Sequence, residues 1–106
     1  MIEELTPSDV ADRLASDDPP QLIDVREDWE VETARLGDAI HIPMNEIPMR
    51  HHELPADREL ITFCHHGARS ATVANWLTHN GHERVANLHG GIDAWARDVD
   101  QSIPRY

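Results

Sequence analysis

The sequence predicts an α/β domain in which a parallel sheet is covered by helices on both faces. Three observations carry this. Short apolar runs, Gln21-Leu22-Ile23-Asp24-Val25, Ala39-Ile40-His41-Ile42, Leu60-Ile61-Thr62-Phe63 and Arg84 to Leu88, have the length of buried strands. Segments with helical spacing separate them, which is the rhythm of strand–helix–strand crossovers. No internal repeat, low-complexity stretch or linker interrupts the 106 residues, so one domain over residues 1–106 is expected.

Each element has a local reason. Thr6-Pro7-Ser8-Asp9 starts a helix: threonine caps, proline suits the first turn and aspartate complements the dipole. Val10, Leu14 and Ala11 form its buried stripe, and it ends near Ser16. The Asp17-Asp18-Pro19-Pro20 loop precedes the strand at Gln21 to Val25. A short helix is expected from Asp28 to Leu36, stopped by Gly37, and a strand from Ala39 to Ile42, closed by Pro43. Asn45 to Arg50 has helical character interrupted by Pro48. Ala68 to Asn80 is the longest helical pattern, with Gly81 as its stop. Ile92 to Asp98 is the last helix. Trp95 is expected in the core, and the tail to Tyr106 is expected to be partly loose.

Composition narrows the partners. Twenty Asp and Glu stand against nine Arg and no Lys, a net charge of −11. Such a surface repels nucleic acid and anionic membrane, and it fits either solubility or a high-salt habitat. No apolar run approaches the ~20 residues that cross a bilayer, and the acidic N-terminus does not read as a signal peptide. With a single cysteine and so no internal disulfide, a cytoplasmic location is expected.

That cysteine opens Cys64-His65-His66-Gly67-Ala68-Arg69-Ser70, between an apolar strand and a helix. Amides at such a turn point inward and the helix start carries partial positive charge, so both favour a thiolate and an adjacent anion. Cys64 reads as a nucleophile rather than as a small buried hydrophobe. Arg69 would hold the loop closed, contact an incoming anion or pair with a carboxylate. Ser70 would cap the helix or donate toward the sulfur. Gly67 permits a positive φ or a close backbone approach. His65 and His66 either line the pocket mouth or, the favoured reading, are solvated side chains whose backbones alone matter.

Other candidates sit just after predicted strands, where open parallel sheets place reactive groups. Asp24 and Arg26 form a charged pair that braces neighbouring loops. Gly90 and Gly91 let the backbone pass close to another loop. Eight histidines invite a metal, but His51-His52 and His65-His66 are sequence neighbours, which seldom point at one ion. No Cys-x-x-Cys, His-Glu-x-x-His, serine elbow or phosphate-binding glycine loop is present, so no metal or cofactor is expected.

Four stretches together resemble the rhodanese family: Leu22-Ile23-Asp24-Val25-Arg26-Glu27, Gly37-Asp38-Ala39-Ile40-His41-Ile42-Pro43, Cys64 to Ser70, and Gly90-Gly91-Ile92-Asp93-Ala94-Trp95. They occur in the family's order and cover nearly the whole chain. The resemblance implies a three-layer sandwich with a five-stranded parallel sheet, and Cys64 as carrier of a transferable sulfur. It further implies two half-reactions, in which thiosulfate or a similar donor leaves a persulfide on Cys64 and cyanide or a thiol removes the sulfur. The loop amides from His65 to Ser70 would stabilise the anion. Related cell-cycle phosphatases place the arginine one residue further from the cysteine. The shorter loop here makes a smaller cradle, suited to sulfur rather than phosphate. A persulfide carrier fed by a protein donor uses the same loop and remains an alternative. A non-catalytic regulatory domain is disfavoured by the retained cysteine.

Overall fold

Five parallel strands in the order β1-β5-β4-β2-β3 form the middle layer of the computed structural model, which describes residues 2–106. They are β1 (Glu3–Leu5), β2 (Gln21–Asp24), β3 (Ile40–His41), β4 (Leu60–Phe63) and β5 (Val85–Leu88). The helices are α1 (Pro7–Leu14), α2 (Asp28–Thr33), α3 (Ile47–Arg50), α4 (Ala68–Thr78) and α5 (Gly91–Asp98). The parallel sheet with helices on both faces is therefore as expected.

Pleating divides the core in two. Along β4, Ile61 and Phe63 join Leu5, Val10, Leu88, Ile92 and Trp95 on one face of the sheet. Leu60 and Cys64 join Ile23, Val25, Ile42, Ile47, Val73 and Leu77 on the other. Alternation with a period of two does this, since successive strand side chains point to opposite faces. It also decides where Cys64 sits. One residue beyond β4, the thiol points toward the α3 and α4 side.

The structure corrects several sequence expectations. The residue-by-residue reading found four strands and missed β1. Of its three residues only Leu5 is buried, so an edge strand carrying Glu3 and Glu4 lacks the apolar run of an inner strand. Helix α1 is capped as expected: Asp9 N–H donates to Thr6 Oγ1 (3.1 Å) and Thr6 N–H to Asp9 Oδ2 (3.2 Å). It ends at Leu14, however, not near Ser16. Helix α2 ends at Thr33, short of Leu36, because Ala34 turns extended and the Arg26 guanidinium takes its carbonyl (2.7 Å). Pro48 does not interrupt a helix. It lies in the first turn of α3, where its missing N–H has no partner to lose. A 3-10 turn, Met44–Glu46, precedes it. Helix α4 stops at Thr78, two residues before the expected end.

The tail is the largest correction. Ile103 and Tyr106 pack against the core face that holds Phe63 and Trp95, and Arg105 donates to both Asp93 carboxylate oxygens (3.0 and 3.2 Å). A terminal segment is loose only if nothing ties it down. Here an ion pair, an apolar anchor and the Tyr106 ring all do.

Candidate active site

Residues at the carboxyl ends of β2, β4 and β5 meet at one sheet edge. Phe63 ends β4, Cys64 follows, and the loop runs to Gly67, which adopts φ +103° at the start of α4. This left-handed turn aims the Gly67 N–H at Cys64 Sγ (3.1 Å). Ser70 Oγ donates to the same sulfur (3.4 Å). Ser70 thus turns its hydroxyl toward the thiol, and the cap of α4 has no side-chain hydrogen bond. Among the described residues these are the two donors that reach the sulfur, so the expected collar of amides reduces to one N–H and one hydroxyl. Cys64 is 1% exposed and packs against the apolar side named above. A packed hydrophobe would share that burial. The two directed donors are what an apolar slot would lack.

Both glycines of the Gly90-Gly91 pair serve the loop. Gly91, at φ +65°, begins α5 against the loop backbone, and a Cβ there would lie 2.5 Å from the Cys64 carbonyl oxygen and 2.6 Å from the His65 carbonyl carbon. This closeness lets Ile92 N–H donate to the Cys64 carbonyl (2.9 Å) and Asp93 N–H to that of His65 (3.1 Å). Helix α5 therefore holds the loop from below. Gly90 N lies 3.2 Å from where a Gly67 Cβ would stand. Asn87 on β5 donates to the Gly67 carbonyl (3.1 Å) and to Glu4 of the edge strand (3.0 Å). Thr62 Oγ1 donates to the Ser70 carbonyl (3.0 Å), tying β4 to the first turn of α4.

Arg26 is fully buried. Its Nε and Nη2 bond the two Asp24 oxygens (2.9 and 2.7 Å), and Nη1 reaches the Glu30 carbonyl (3.2 Å) and the Tyr106 hydroxyl (3.0 Å). A planar guanidinium with five donors suits this four-way junction, and a buried charge persists only when so paired. Asp24 and Arg26 thus lie in the framework beneath the edge, away from the sulfur's own hydrogen bonds.

Arg69 pairs with a carboxylate, one of its three expected roles. Its Nη1 and Nη2 contact Glu30 Oε1 and Oε2 at 2.7 and 2.9 Å. Ala68 occupies the first turn of α4 beside it. The guanidinium holds the buried Glu30 carboxyl down at about 2, aided by the Tyr106 hydroxyl and opposed by burial. Glu30 strengthens the charged state of Arg69 in turn, and the nearby Cys64 sulfur adds to that. Tyr106 donates to Glu30 Oε2 (2.7 Å), and its own hydroxyl is pushed up to about 12, chiefly by burial.

Glu30 and Tyr106 are site residues that sequence reasoning missed. Glu30 had one faint signal, its place four residues after Arg26, but nothing local singles it out among twenty acidic residues. Tyr106 had none, because the tail carried no helical or strand pattern.

The His65 side chain is more than a solvated one. His65 stacks between His66 and Tyr106, with ring centroids 3.9 Å apart in both pairs. Burial lowers its pKa first, and the His66 charge lowers it further. His66 itself is mostly exposed. His65, His66 and Asp93 place one potential ligand atom each within 4.8 Å of one another. The two rings stack at 26° and Arg105 already engages both Asp93 oxygens. Binding a metal here would require the histidine stack to open and Arg105 to release Asp93.

Glu30 sets a pH dependence. Its carboxyl is depressed from 4.5 to about 2, so its contribution to stability is present above pH 4.5 and is lost as pH falls toward 2. The partner Arg69 is about one-third exposed, and solvent screening trims the contribution to about 2 kcal/mol. Glu30→Gln should therefore be less stable than the native chain at pH 7 by that amount, with the gap closing between 4.5 and 2. Urea unfolding across this range measures it, and a gap that does not change with pH contradicts the assignment.

A lone thiol cradled between a parallel strand and a helix, at the carboxyl edge of a five-stranded sheet, defines a class of single-cysteine α/β domains. Residues 6–98 match the model of the rhodanese-like domain. The chain is 39% identical to a sulfurtransferase of Allochromatium vinosum over 92% of this chain and 91% of that one. It is 32% identical to a putative sulfur carrier protein of Bacillus subtilis over 89% of this chain and 51% of that one. A rhodanese-like domain protein from Staphylococcus aureus superposes with a TM-score of 0.84 at 28% identity, covering 99% of both chains. The chain belongs to the rhodanese-like sulfurtransferase family. Among the described residues no helix is long and apolar enough to cross a membrane.

Proposed function

We propose that the protein transfers sulfane sulfur through a persulfide on Cys64, taking it from thiosulfate or a similar small anionic donor. The observation that carries this reading is the Gly67 N–H aimed at Cys64 Sγ from a left-handed turn, with Ser70 Oγ on the same atom. Hydrogen-bond donors directed at a sulfur favour its anionic states, both thiolate and persulfide. The Cys64 thiolate attacks the outer sulfur of the donor. A new S–S bond forms, the donor's S–S bond breaks, and sulfite leaves with the electron pair. In the second half-reaction cyanide or a thiolate attacks the outer sulfur of the persulfide, and the Cys64 thiolate departs. Charge and atoms balance in each step without a cofactor, and the kinetics are ping-pong. Arg69, paired with Glu30 at rest, is the guanidinium that would turn to an anion beside Cys64, where the −11 surface otherwise repels one. Since Cys64 is 1% exposed, the groups that cover it must move as the donor approaches.

A second reading keeps the persulfide but takes the sulfur from a protein. It is favoured by the likeness to the putative sulfur carrier and by an acidic surface that would dock a basic partner. Neither reading calls on nucleic acid or a membrane, and a cytoplasmic location, where a lone thiol stays reduced, is part of the proposal. Mass spectrometry after incubation with thiosulfate tests the first. The intact protein is expected to gain the mass of one sulfur atom and to lose it on adding cyanide. No gain with thiosulfate, but a gain with a protein persulfide, would establish the carrier reading instead.

A further inference from the structure

We propose that Tyr106 is a positioning residue of the site: its hydroxyl holds Glu30 so that Arg69 keeps positive charge to offer an anion at Cys64. This rests on the reading that Cys64 is the reacting thiol with Arg69 as the cation beside it.

The connection is a continuous chain of hydrogen bonds. Arg26 Nη1 donates to the Tyr106 hydroxyl (3.0 Å), which donates to Glu30 Oε2 (2.7 Å). The same Oε2 accepts Arg69 Nη2 (2.9 Å). Glu27 N–H supplies a further bond to Glu30 Oε1 (3.1 Å). Glu30 therefore has donors besides Arg69 and does not depend on the guanidinium alone. Without them, turning Arg69 toward a ligand would strand a buried carboxylate, a strongly unfavourable state. The phenol bonded to Oε2 draws off part of its charge and weakens its hold on Arg69. The ring is fixed independently of the hydroxyl. It stacks on His65 at 11° and meets Trp29 edge-on at 5.8 Å, while Arg105 ties the adjoining backbone to Asp93.

Removing the hydroxyl while keeping the ring separates the two roles. In Tyr106→Phe, Glu30 should bind Arg69 more tightly, and the charge felt by an anion at Cys64 should fall. The readout is the rate of Cys64 alkylation by iodoacetate divided by that by iodoacetamide. This ratio reports the local potential and does not require sulfur transfer, so it stays informative even if thiosulfate gives no mass gain.

Tyr106→Phe is expected to lower the ratio about threefold to tenfold, the size of a modest change in one nearby charge. In an Arg69→Ala background the same substitution should leave the ratio unchanged. Glu30→Gln is a second background with the same expectation, and it serves if loss of Arg69 prevents folding. Thermal unfolding of each variant checks the fold. A ratio that holds or rises in Tyr106→Phe, or one that falls equally in the altered backgrounds, overturns the proposal. A merely structural role of Tyr106 would give additive effects rather than this dependence on Arg69 and Glu30.

Discussion

Cys64→Ser is expected to abolish sulfur loading from thiosulfate and to slow transfer to cyanide by at least about a thousandfold. A serine hydroxyl is hardly ionised near neutral pH, and its oxygen is a poor partner for divalent sulfur. The substitution is otherwise mild. The hydroxyl would meet the same donors, Gly67 N–H and Ser70 Oγ, so no buried polar atom is stranded. Stability should stay within about 1 kcal/mol of the native chain. A folded serine variant that still gains sulfur would remove Cys64 from the chemistry. One that fails to fold would instead show that the thiol's packing against Val25, Ile42 and Val73 matters more than its donors.

Gly91→Ala is expected to destabilise the protein by about 3 kcal/mol or more. Two costs combine. The backbone at φ +65° is strained for any residue with a Cβ, and that Cβ would press within 2.5 Å of the Cys64 carbonyl. Relieving the clash would pull α5 away and stretch the Ile92 and Asp93 hydrogen bonds to the loop. Gly81→Ala is the internal comparison. Its φ is +97°, but nothing lies within 4 Å of its added Cβ, so it should cost only the backbone strain, about 1–2 kcal/mol. Urea unfolding of the two variants separates strain from close approach. Equal losses would mean that the contact with the loop is not what requires glycine at position 91.

These expectations rest on features of different legibility. The inner strands were readable because each is buried on both faces and so appears as a continuous apolar run, as in Leu60 to Phe63. The edge strand β1 was not, since burying only Leu5 leaves no pattern to detect. Helix starts were readable where a cap marks them, as at Thr6. The end of α2 was not, because Arg26, eight residues back, claims the Ala34 carbonyl. Within the site, the loop from Cys64 to Ser70 stands out by local spacing, whereas Glu30 and Tyr106 do not. Glu30 is one of twenty acidic residues, and Tyr106 lies 76 positions beyond the carboxylate it bonds.

The sequence by itself determined the alternation of strands and helices, the family, and the place of the lone thiol at a strand-to-helix turn. These follow from periodicity, glycine and proline positions and short motifs, all of which act over a few residues. Only the tertiary structure decided which way the thiol faces, which donors reach it, that Arg69 pairs with Glu30, and that the tail closes over that pair. Those outcomes depend on side chains far apart in the chain meeting at one sheet edge. Burial there makes each polar group seek a partner, and nothing in the local sequence says which of many it will find.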